Sequence, residues 1–234
     1  MTRTVVLTGA SGNLGRAVAT AFASEGANVV LLDLKPPATK QTFIQTNLLD
    51  AQSVQAAAEQ TLRRFGRVDV LCNLAGGFRM GAPVHETSPQ DWDFLFNLNA
   101  RTVLHTAKAF VPAMLKGGGG KIVNVGAHAA QKGAARMGAY IASKSAVIRL
   151  TETMAAELRE QNINVNCVLP TIIDTPENRA AMPDADPRKW VAPQDLAAVI
   201  LRCMEKEPGD RFQKVSEILQ ELNAISSRVD LVAA

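Results

Sequence analysis

The chain begins with a buried strand, a glycine-rich turn and a helix, and this order constrains its fold more than any other feature. Thr4–Thr8 (TVVLT) is an apolar run of strand length. The turn that follows contains three glycines, in the run Thr8-Gly9-Ala10-Ser11-Gly12-Asn13-Leu14-Gly15. Glycines without a Cβ atom let the backbone approach a pyrophosphate, and the free N–H groups at the start of a helix favour its negative charge. The pattern therefore predicts a dinucleotide-binding turn between the first strand and the first helix.

Strand-length apolar runs alternate with longer helical patterns along the remaining chain, which is typical of βαβ units. We therefore expect a doubly wound α/β fold of Rossmann type, a single domain with a parallel sheet of six or seven strands. Two long helices are predicted at Asn99–Leu115 and Tyr140–Gln161, and Pro170–Ala192 is long enough to form an irregular lid. The predicted strands are Thr4–Thr8, Asn28–Leu32, Thr42–Thr46, Val68–Leu71, Ile122–Val125 and Val165–Leu169.

The composition excludes several other classes of protein. Hydrophobic residues make up 47% and charged residues 20% of the 234, so the chain is not mostly disordered. The net charge of +3 is small and the cations are scattered, so we expect no nucleic-acid partner. No apolar run is long enough to span a membrane, and no signal peptide is expected. Cys72, Cys167 and Cys203 are odd in number and lack metal-ligand spacing, which predicts free thiols, no metal site and a cytoplasmic location.

The residue at the end of the second strand indicates which dinucleotide is bound. Asp33 is placed where a carboxylate accepts hydrogen bonds from the ribose hydroxyls and repels a 2′-phosphate. Arg16 and Lys35 are expected to be nearby cations that soften that repulsion. The negative charge of Asp33 therefore favours NAD over NADP.

Tyr140 and Lys144 are four residues apart at the predicted start of a helix, so they share one face. A free tyrosine has a pKa of ~10, which is too high for efficient proton exchange at neutral pH. An adjacent lysine cation lowers that pKa because it favours the phenolate. Isolated pairs of this kind are commonly surface features, but Tyr140 is the one tyrosine in the chain. We therefore predict that Tyr140 is an acid/base and that Lys144 tunes it.

Further motifs occur in the order and spacing of one family. They are Asn73-Leu74-Ala75-Gly76, Asn99, Tyr140-Ile141-Ala142-Ser143-Lys144 and Pro170. With the glycine turn, they resemble the short-chain dehydrogenase/reductase family over about residues 3–201. The resemblance implies hydride transfer between a nicotinamide cofactor and a small carbonyl, alcohol or quinonoid pterin-like substrate. It also implies a homodimer or homotetramer that pairs the two long helices across a two-fold axis.

The same resemblance implies roles for single residues. Lys144 would also hold the nicotinamide ribose, and Asn99 would order a water that passes protons to Lys144. Ile173 and Thr175 match positions that contact the carboxamide and the phosphates. Two features depart from the pattern: the glycines are spaced as in the family's extended members, and Thr171 replaces a glycine. The cofactor contacts expected in all are Gly9, Ser11, Gly12, Asn13, Leu14, Gly15, Asp33, Asn47, Leu48, Asn73, Ala75, Gly76, Tyr140, Lys144, Pro170, Ile173 and Thr175.

One residue expected from the family is missing. Members place a serine thirteen residues before the tyrosine, where it donates a hydrogen bond to the substrate oxygen, and this chain has Ala127 there. Either the protein is a weak carbonyl reductase, or its substrate does not need the donor. The second case resembles the dihydropteridine reductases, which also have an alanine at this position. A third alternative is a dinucleotide-binding sensor or interaction protein with little or no turnover. The neighbouring His128 is expected to point into solvent.

The chain departs from the family from Arg202 onward. Residues 202–234 are predicted to form a helical tail packed on the same domain, with Val229–Ala233 as a substitute edge strand. The tail resembles the last helices of a bacterial serine/threonine kinase domain. No glycine-rich kinase loop, His-Arg-Asp run or Asp-Phe-Gly run accompanies it, so a kinase activity is excluded.

Overall fold

Six parallel strands form one sheet in residues 2–204, the part of the chain that the structure, a computed structural model, describes. The strand order is β3-β2-β1-β4-β5-β6, so the connections reverse direction between β1 and β4. In open α/β sheets a ligand binds at the carboxyl ends of the strands beside such a reversal. The strands are β1 (Thr4–Thr8), β2 (Asn28–Asp33), β3 (Thr42–Gln45), β4 (Val70–Asn73), β5 (Gly120–Val125) and β6 (Ile163–Val168).

Helices cover both faces of this sheet, which confirms the doubly wound fold. One face packs against α1 and α7 around Phe22 and Ile200, and the other packs against α2 and α4 around Phe110 and Met114. Alternate residues of β1 enter the two cores, because successive side chains of a strand point to opposite faces. The helices are α1 (Asn13–Ser24), α2 (Ala51–Phe65), α3 (Pro89–Phe96), α4 (Thr102–Lys116), α5 (Gly138–Leu158), α6 (Pro176–Ala181) and α7 (Pro193–Arg202).

The helix ends follow from local sequence. The Asp50 carboxylate accepts a hydrogen bond from the N–H of Gln52 and begins α2, and Gly66, in the left-handed region, ends it. The Ser88 hydroxyl accepts from the N–H of Asp91 at the start of α3, where proline occupies the first turn.

Several predicted boundaries are wrong by a few residues. The fourth strand extends to Asn73 because this polar side chain is hydrogen-bonded inside the sheet, whereas an apolar pattern ends earlier. The sixth strand begins at Ile163 rather than Val165. The long helix predicted from Asn99 begins as a π-helical turn, Asn97–Arg101, before α4. The segment predicted to be an irregular lid contains α6, which the sequence pattern did not indicate.

The predicted C-terminal tail is described only at its beginning. Helix α7 ends at Arg202, and Met204 is buried against the core that contains α1. The rest of the helical tail and the edge strand Val229–Ala233 lie outside the described residues. Within residues 2–204, no helix has both the length and the apolar character needed to cross a membrane.

Candidate active site

The glycine turn lies directly on the segment that follows β4. Gly9 has a φ of +63°, and a Cβ atom built there would lie 2.8 Å from the backbone of Ala75. A Cβ on Gly15 would collide with the carbonyl oxygen of Gly9, so this close approach also requires glycine. Gly12 precedes the first turn of α1, and no side chain caps that turn. The uncapped N–H groups and the missing Cβ atoms fit the pyrophosphate of a dinucleotide.

Asp33 lies beside this turn, at the end of β2. Its Oδ2 accepts a hydrogen bond from the N–H of Ser11 at 2.9 Å, and its Oδ1 accepts from the N–H of Leu34 at 2.7 Å. The guanidinium of Arg16 donates to the carbonyl oxygen of Ser11 and to Oδ1 of Asn13. A carboxylate and a cation therefore both lie next to the turn.

Asn47 and Leu48 follow β3 at the same edge of the sheet as Asp33. The N–H of Thr46 donates to the carbonyl oxygen of Asp33 at 2.8 Å, which joins the two strand ends. Asn47 is exposed, and its Oδ1 accepts from the N–H of Leu49. The structure thus brings both residues to the edge where the cofactor contacts are predicted.

The segment Asn73–Gly76 is fixed by buried hydrogen bonds. The Thr8 hydroxyl accepts from the N–H groups of Leu74 and Ala75, each at 3.1 Å. The Asn73 side chain accepts from the Thr106 hydroxyl and donates to the Asn124 side chain, both at 2.8 Å. These bonds tie β1, β4, β5 and α4 together directly under the site, so the segment holds its position against the glycine turn.

Asn99 is brought into the site by the π-helical turn. It is 1% exposed, and its side chain exchanges two hydrogen bonds with the backbone of Gly77, at 2.9 and 3.1 Å. A single π turn inserts one extra residue per turn and changes the direction of the side chains around it. A Cβ atom on Gly76 would lie 2.9 Å from both Asn99 Oδ1 and Lys144 Nζ, so these two polar groups converge on one point.

Lys144 is almost fully buried on the inner face of α5. Its Nζ donates to the carbonyl oxygen of Val125 at 2.8 Å, and burial lowers the pKa of this lysine to about 8. The nearby Cys167 thiol opposes that shift in the pKa of Lys144. The lysine is therefore a cation that readily gives up its proton near neutral pH, as a proton relay requires.

Tyr140 lies one turn before Lys144, and its ring packs edge-to-face on Phe78 with 4.9 Å between centroids. We expected the lysine to lower the pKa of Tyr140, and this expectation is not met: burial raises the pKa of the phenol. The reason is that Lys144 Nζ is directed at the carbonyl oxygen of Val125, whereas the ring of Tyr140 is partly buried against Phe78.

Ala127 follows β5 and is 4% exposed, so the position of the missing serine is buried. His128 is exposed, as predicted. Its N–H donates to the carbonyl oxygen of Pro170 at 2.9 Å, which joins this loop to the lid.

The lid residues are ordered around α6. Ile173 forms an isolated parallel bridge with Val191, and the Thr175 hydroxyl accepts from the N–H of Asn178 to begin the helix. Glu177 accepts a hydrogen bond from the Asn13 side chain at 2.9 Å. The lid therefore contacts Asn13, at the point where the glycine turn enters α1.

Two residues of the site, Ser143 and Phe78, were not predicted from the sequence. The buried Ser143 hydroxyl accepts from Asn99 Nδ2 at 3.0 Å and donates to the carbonyl oxygen of Tyr140. Its position three residues after Tyr140 puts it on the same helix face, which was a usable signal. Phe78 had no such signal, because its contact with Tyr140 depends on a loop. Within residues 2–204, no group of three or more His, Cys, Asp or Glu side chains is arranged to hold a metal ion.

Known proteins share this fold and these motifs. The family model described as short chain dehydrogenase matches residues 3–186. The dehydrogenase/reductase SDR family member 6 of Rattus norvegicus is 36% identical over 221 residues, covering 92% of this chain and 86% of its own length. A sorbitol dehydrogenase of Cereibacter sphaeroides is 35% identical and covers 74% of this chain and 71% of its own. The ligand-free aldohexose dehydrogenase of Thermoplasma acidophilum superposes with a TM-score of 0.80 at 27% identity, covering 88% of each chain.

A doubly wound sheet with this glycine turn and this tyrosine–lysine helix defines a dinucleotide-dependent oxidoreductase. The chain belongs to the short chain dehydrogenase family. Members of this family use NAD or NADP and act on small molecules.

Burial of Lys144 predicts a pH-dependent cost in stability. Below about pH 8 the Lys144 ammonium is charged in both the folded and the unfolded chain, so the full cost of burying it lowers the free energy of unfolding. Between about pH 8 and the ordinary pKa of 10.5, Lys144 loses its proton in the folded chain first, and this cost fades. Lys144→Met should therefore raise the free energy of unfolding near neutral pH by ~1–3 kcal/mol. Urea denaturation at neutral and alkaline pH measures this, and the gain should shrink at alkaline pH. A variant less stable than the wild type at neutral pH contradicts it.

Proposed function

We propose that the chain is an NAD-dependent oxidoreductase in which Tyr140 is the catalytic acid/base. The observation that carries this proposal is the convergence of Lys144 Nζ and Asn99 Oδ1 beside Gly76, one helical turn from Tyr140. A bound nicotinamide would supply or accept the hydride. In reduction the Tyr140 hydroxyl gives its proton to the substrate oxygen, and in oxidation the Tyr140 phenolate takes the proton of the alcohol.

The remaining polar groups support that proton transfer. Lys144 lies one turn from the tyrosine on the same helix face and has a pKa of about 8, so it can restore the proton of Tyr140. Its contact with the ribose is proposed from the family resemblance. Asn99 is fixed by the backbone of Gly77 and by Ser143, so its side chain cannot turn away from the lysine. The proposed water between Asn99 and Lys144 would complete the relay.

The cofactor contacts proposed for the chain are those expected from its sequence, and the geometry near Asp33 supports NAD. The Asp33 carboxylate is held by two backbone N–H groups, so it cannot easily move aside for a 2′-phosphate. Arg16 is engaged with the turn through two hydrogen bonds rather than directed to Asp33.

Asp33→Ala should reduce the preference for NADH over NADPH. It removes the repulsion of the 2′-phosphate and the acceptor for the ribose hydroxyls, so NADPH should bind more tightly and NADH less tightly, each by about ten-fold. Fluorescence titration of both cofactors into wild type and variant measures this. Asp50→Ala is a matched control, because Asp50 is an exposed carboxylate that caps α2. Equal affinity of the wild type for the two cofactors overturns the assignment.

The substrate is proposed to be a small carbonyl compound, the corresponding alcohol or a conjugated imine. The bacterial relative named sorbitol dehydrogenase supports a small polar alcohol. A quinonoid pterin is supported by Ala127 alone. A conjugated ring spreads the negative charge that builds up during reduction, so a pterin does not need the hydrogen bond from a serine hydroxyl.

A sensor or interaction protein that binds dinucleotide without turnover is the second candidate, and Ala127 is the observation that favours it. Titration with NADH followed by the loss of reduced-nicotinamide absorbance, with a panel of ketones, aldehydes and a quinonoid dihydropterin, separates the two. Turnover of any panel member supports the enzyme. NADH binding without turnover across the panel supports the sensor.

A homodimer or homotetramer through α4 and α5 is proposed from the family resemblance. Leu104 of α4 is 56% exposed, which a second copy would cover. Light scattering should give a mass well above the 25.0 kDa of one chain, and Leu104→Glu should lower it. Leu49→Glu, at an exposed leucine outside these helices, is the control and should leave the mass unchanged. A single-chain mass for the wild type at micromolar concentration contradicts the assembly.

A further inference from the structure

A recess beside Tyr140 is lined by two arginines that the proposed reaction does not use. It lies between the segment after β4, which contains Arg79 and Gly81, and the segment before α5, which contains Arg136. Tyr140 forms part of its wall, and the enclosed space is about 10 Å³, room for roughly one water-sized group. Only one end of a molecule can therefore enter the recess, and that end is adjacent to the proposed acid/base.

Arg79 is already occupied by protein partners. Its guanidinium pairs with the Asp91 carboxylate at 2.5 Å and lies over the ring of Phe94, 4.1 Å from the centroid. Hydrogen bonds from Arg79 and Ser88 lower the pKa of Asp91, so this carboxylate is charged and balances Arg79. The pair contributes little net charge to the recess.

Arg136 contributes a positive charge that no acidic side chain balances within residues 2–204. Its Nε donates to the carbonyl oxygen of Gly81 at 3.3 Å, and its own carbonyl oxygen accepts from the N–H of Gly81 at 2.8 Å. The segment from Gly126 to Tyr140 contains His128, Lys132 and Arg136 and no Asp or Glu. Of the three charged side chains that line the recess in the described part of the chain, Arg79 and Asp91 balance each other, so Arg136 leaves it with a net positive charge.

The backbone of Arg136 is also unusual. Its φ is +63°, in the left-handed region that non-glycine residues rarely adopt. The conformation brings both the carbonyl and the guanidinium of this residue to Gly81, at the rim of the recess. Residues held in such conformations cluster at ligand-binding sites, where surrounding contacts maintain them.

We infer that the substrate carries a carboxylate that binds the Arg136 guanidinium while its carbonyl group faces Tyr140, which makes it an oxo acid or the corresponding hydroxy acid. The carboxylate site at Arg136 stands on its own, whereas the placement of the carbonyl group at Tyr140 rests on the proposed function. A guanidinium presents paired donors that match the two oxygens of a carboxylate. Ala127 offers no hydrogen bond to the substrate oxygen, so binding at a remote charged group would supply the orientation that the missing hydroxyl gives in relatives.

The experiment compares pyruvate, acetoacetate and levulinate with their methyl esters. Each is titrated calorimetrically into the full chain saturated with NAD⁺, because oxidised cofactor and oxo compound cannot react and binding is then measured without turnover. At least one acid should bind about ten- to a hundred-fold more tightly than its ester. Arg136→Gln should abolish the preference, and Arg136→Lys should restore part of it.

Two further variants separate substrate binding from a structural role of Arg136. Arg136→Gly retains access to the left-handed backbone but removes the guanidinium, so it should lose the preference for the acid while ester binding stays unchanged. Lys132→Gln removes a cation from the same segment outside the recess and should leave the preference intact.

The inference is overturned if no acid binds more tightly than its ester, or if Arg136→Gln and Arg136→Gly keep the preference. Turnover is measured separately with NADH. Preferential acid binding without any reduction would remove the proposed enzyme activity and leave the carboxylate site standing. Reduction of neutral ketones together with equal binding of acids and esters would support the enzyme activity and remove the carboxylate site.

Discussion

Tyr140→Phe is expected to reduce the rate of ketone reduction by ~10²–10⁴-fold while leaving NADH affinity nearly unchanged. The change removes one oxygen atom and keeps the ring that packs on Phe78. No other tyrosine exists in the chain to replace the lost hydroxyl. Initial rates at saturating NADH, together with an NADH titration of the same preparation, measure both quantities.

The matched control is Phe78→Leu, which opens the apolar surface around Tyr140 but leaves its hydroxyl in place. Since burial raises the pKa of Tyr140, this variant should shift the pH dependence of the rate downward and should cost much less activity. Tyr140→Phe with turnover equal to the wild type would remove the proposed mechanism.

Ala127→Ser is expected to increase the reduction of a simple ketone by up to ~10²-fold. The new hydroxyl would donate to the carbonyl oxygen, and that hydrogen bond strengthens as negative charge builds up in the transition state. For a quinonoid pterin the charge spreads over the ring, so the same change should have little effect. Initial rates with one ketone and one pterin for wild type and variant test this.

The Ala127→Ser, Tyr140→Phe double variant is the control for this gain. Because the serine is a donor and not a replacement for the acid, the double variant should be as slow with a ketone as Tyr140→Phe alone. If Ala127→Ser increases the rate of reduction of no ketone, a side chain at position 127 does not donate a hydrogen bond to the substrate oxygen.

Much of the fold was predictable because its signals are local. The apolar runs of β1 and β2 and the helix cap at Asp50 act through residues adjacent in sequence. Strand boundaries were predicted wrongly where contacts between residues distant in sequence determine them. Asn73 continues its strand because the side chains of Thr106 and Asn124 form hydrogen bonds with its amide group. The C-terminal tail and the cytoplasmic location stay predictions.

The candidate site divides in the same way. The spacing of Tyr140 and Lys144 predicts a shared helix face, and the structure has it. The π turn at Asn99 was not predictable, since it depends on how α3 continues into α4. The sequence also predicted the wrong direction for the shift in the pKa of Tyr140. The spacing of residues in the helix indicates the nearby lysine, but it does not show that Phe78, on a loop distant in sequence, helps to bury the ring.

The most direct measurement of the central claim is deuterium transfer from NADH that carries deuterium at both positions of nicotinamide C4. Wild-type protein is incubated with the labelled cofactor and an oxo compound, and the alcohol product is analysed by mass spectrometry. Deuterium is expected on the former carbonyl carbon with wild type, and a strongly reduced amount is expected with Tyr140→Phe. Tight NADH binding with no deuterium in any product would contradict the assignment of this chain as an oxidoreductase.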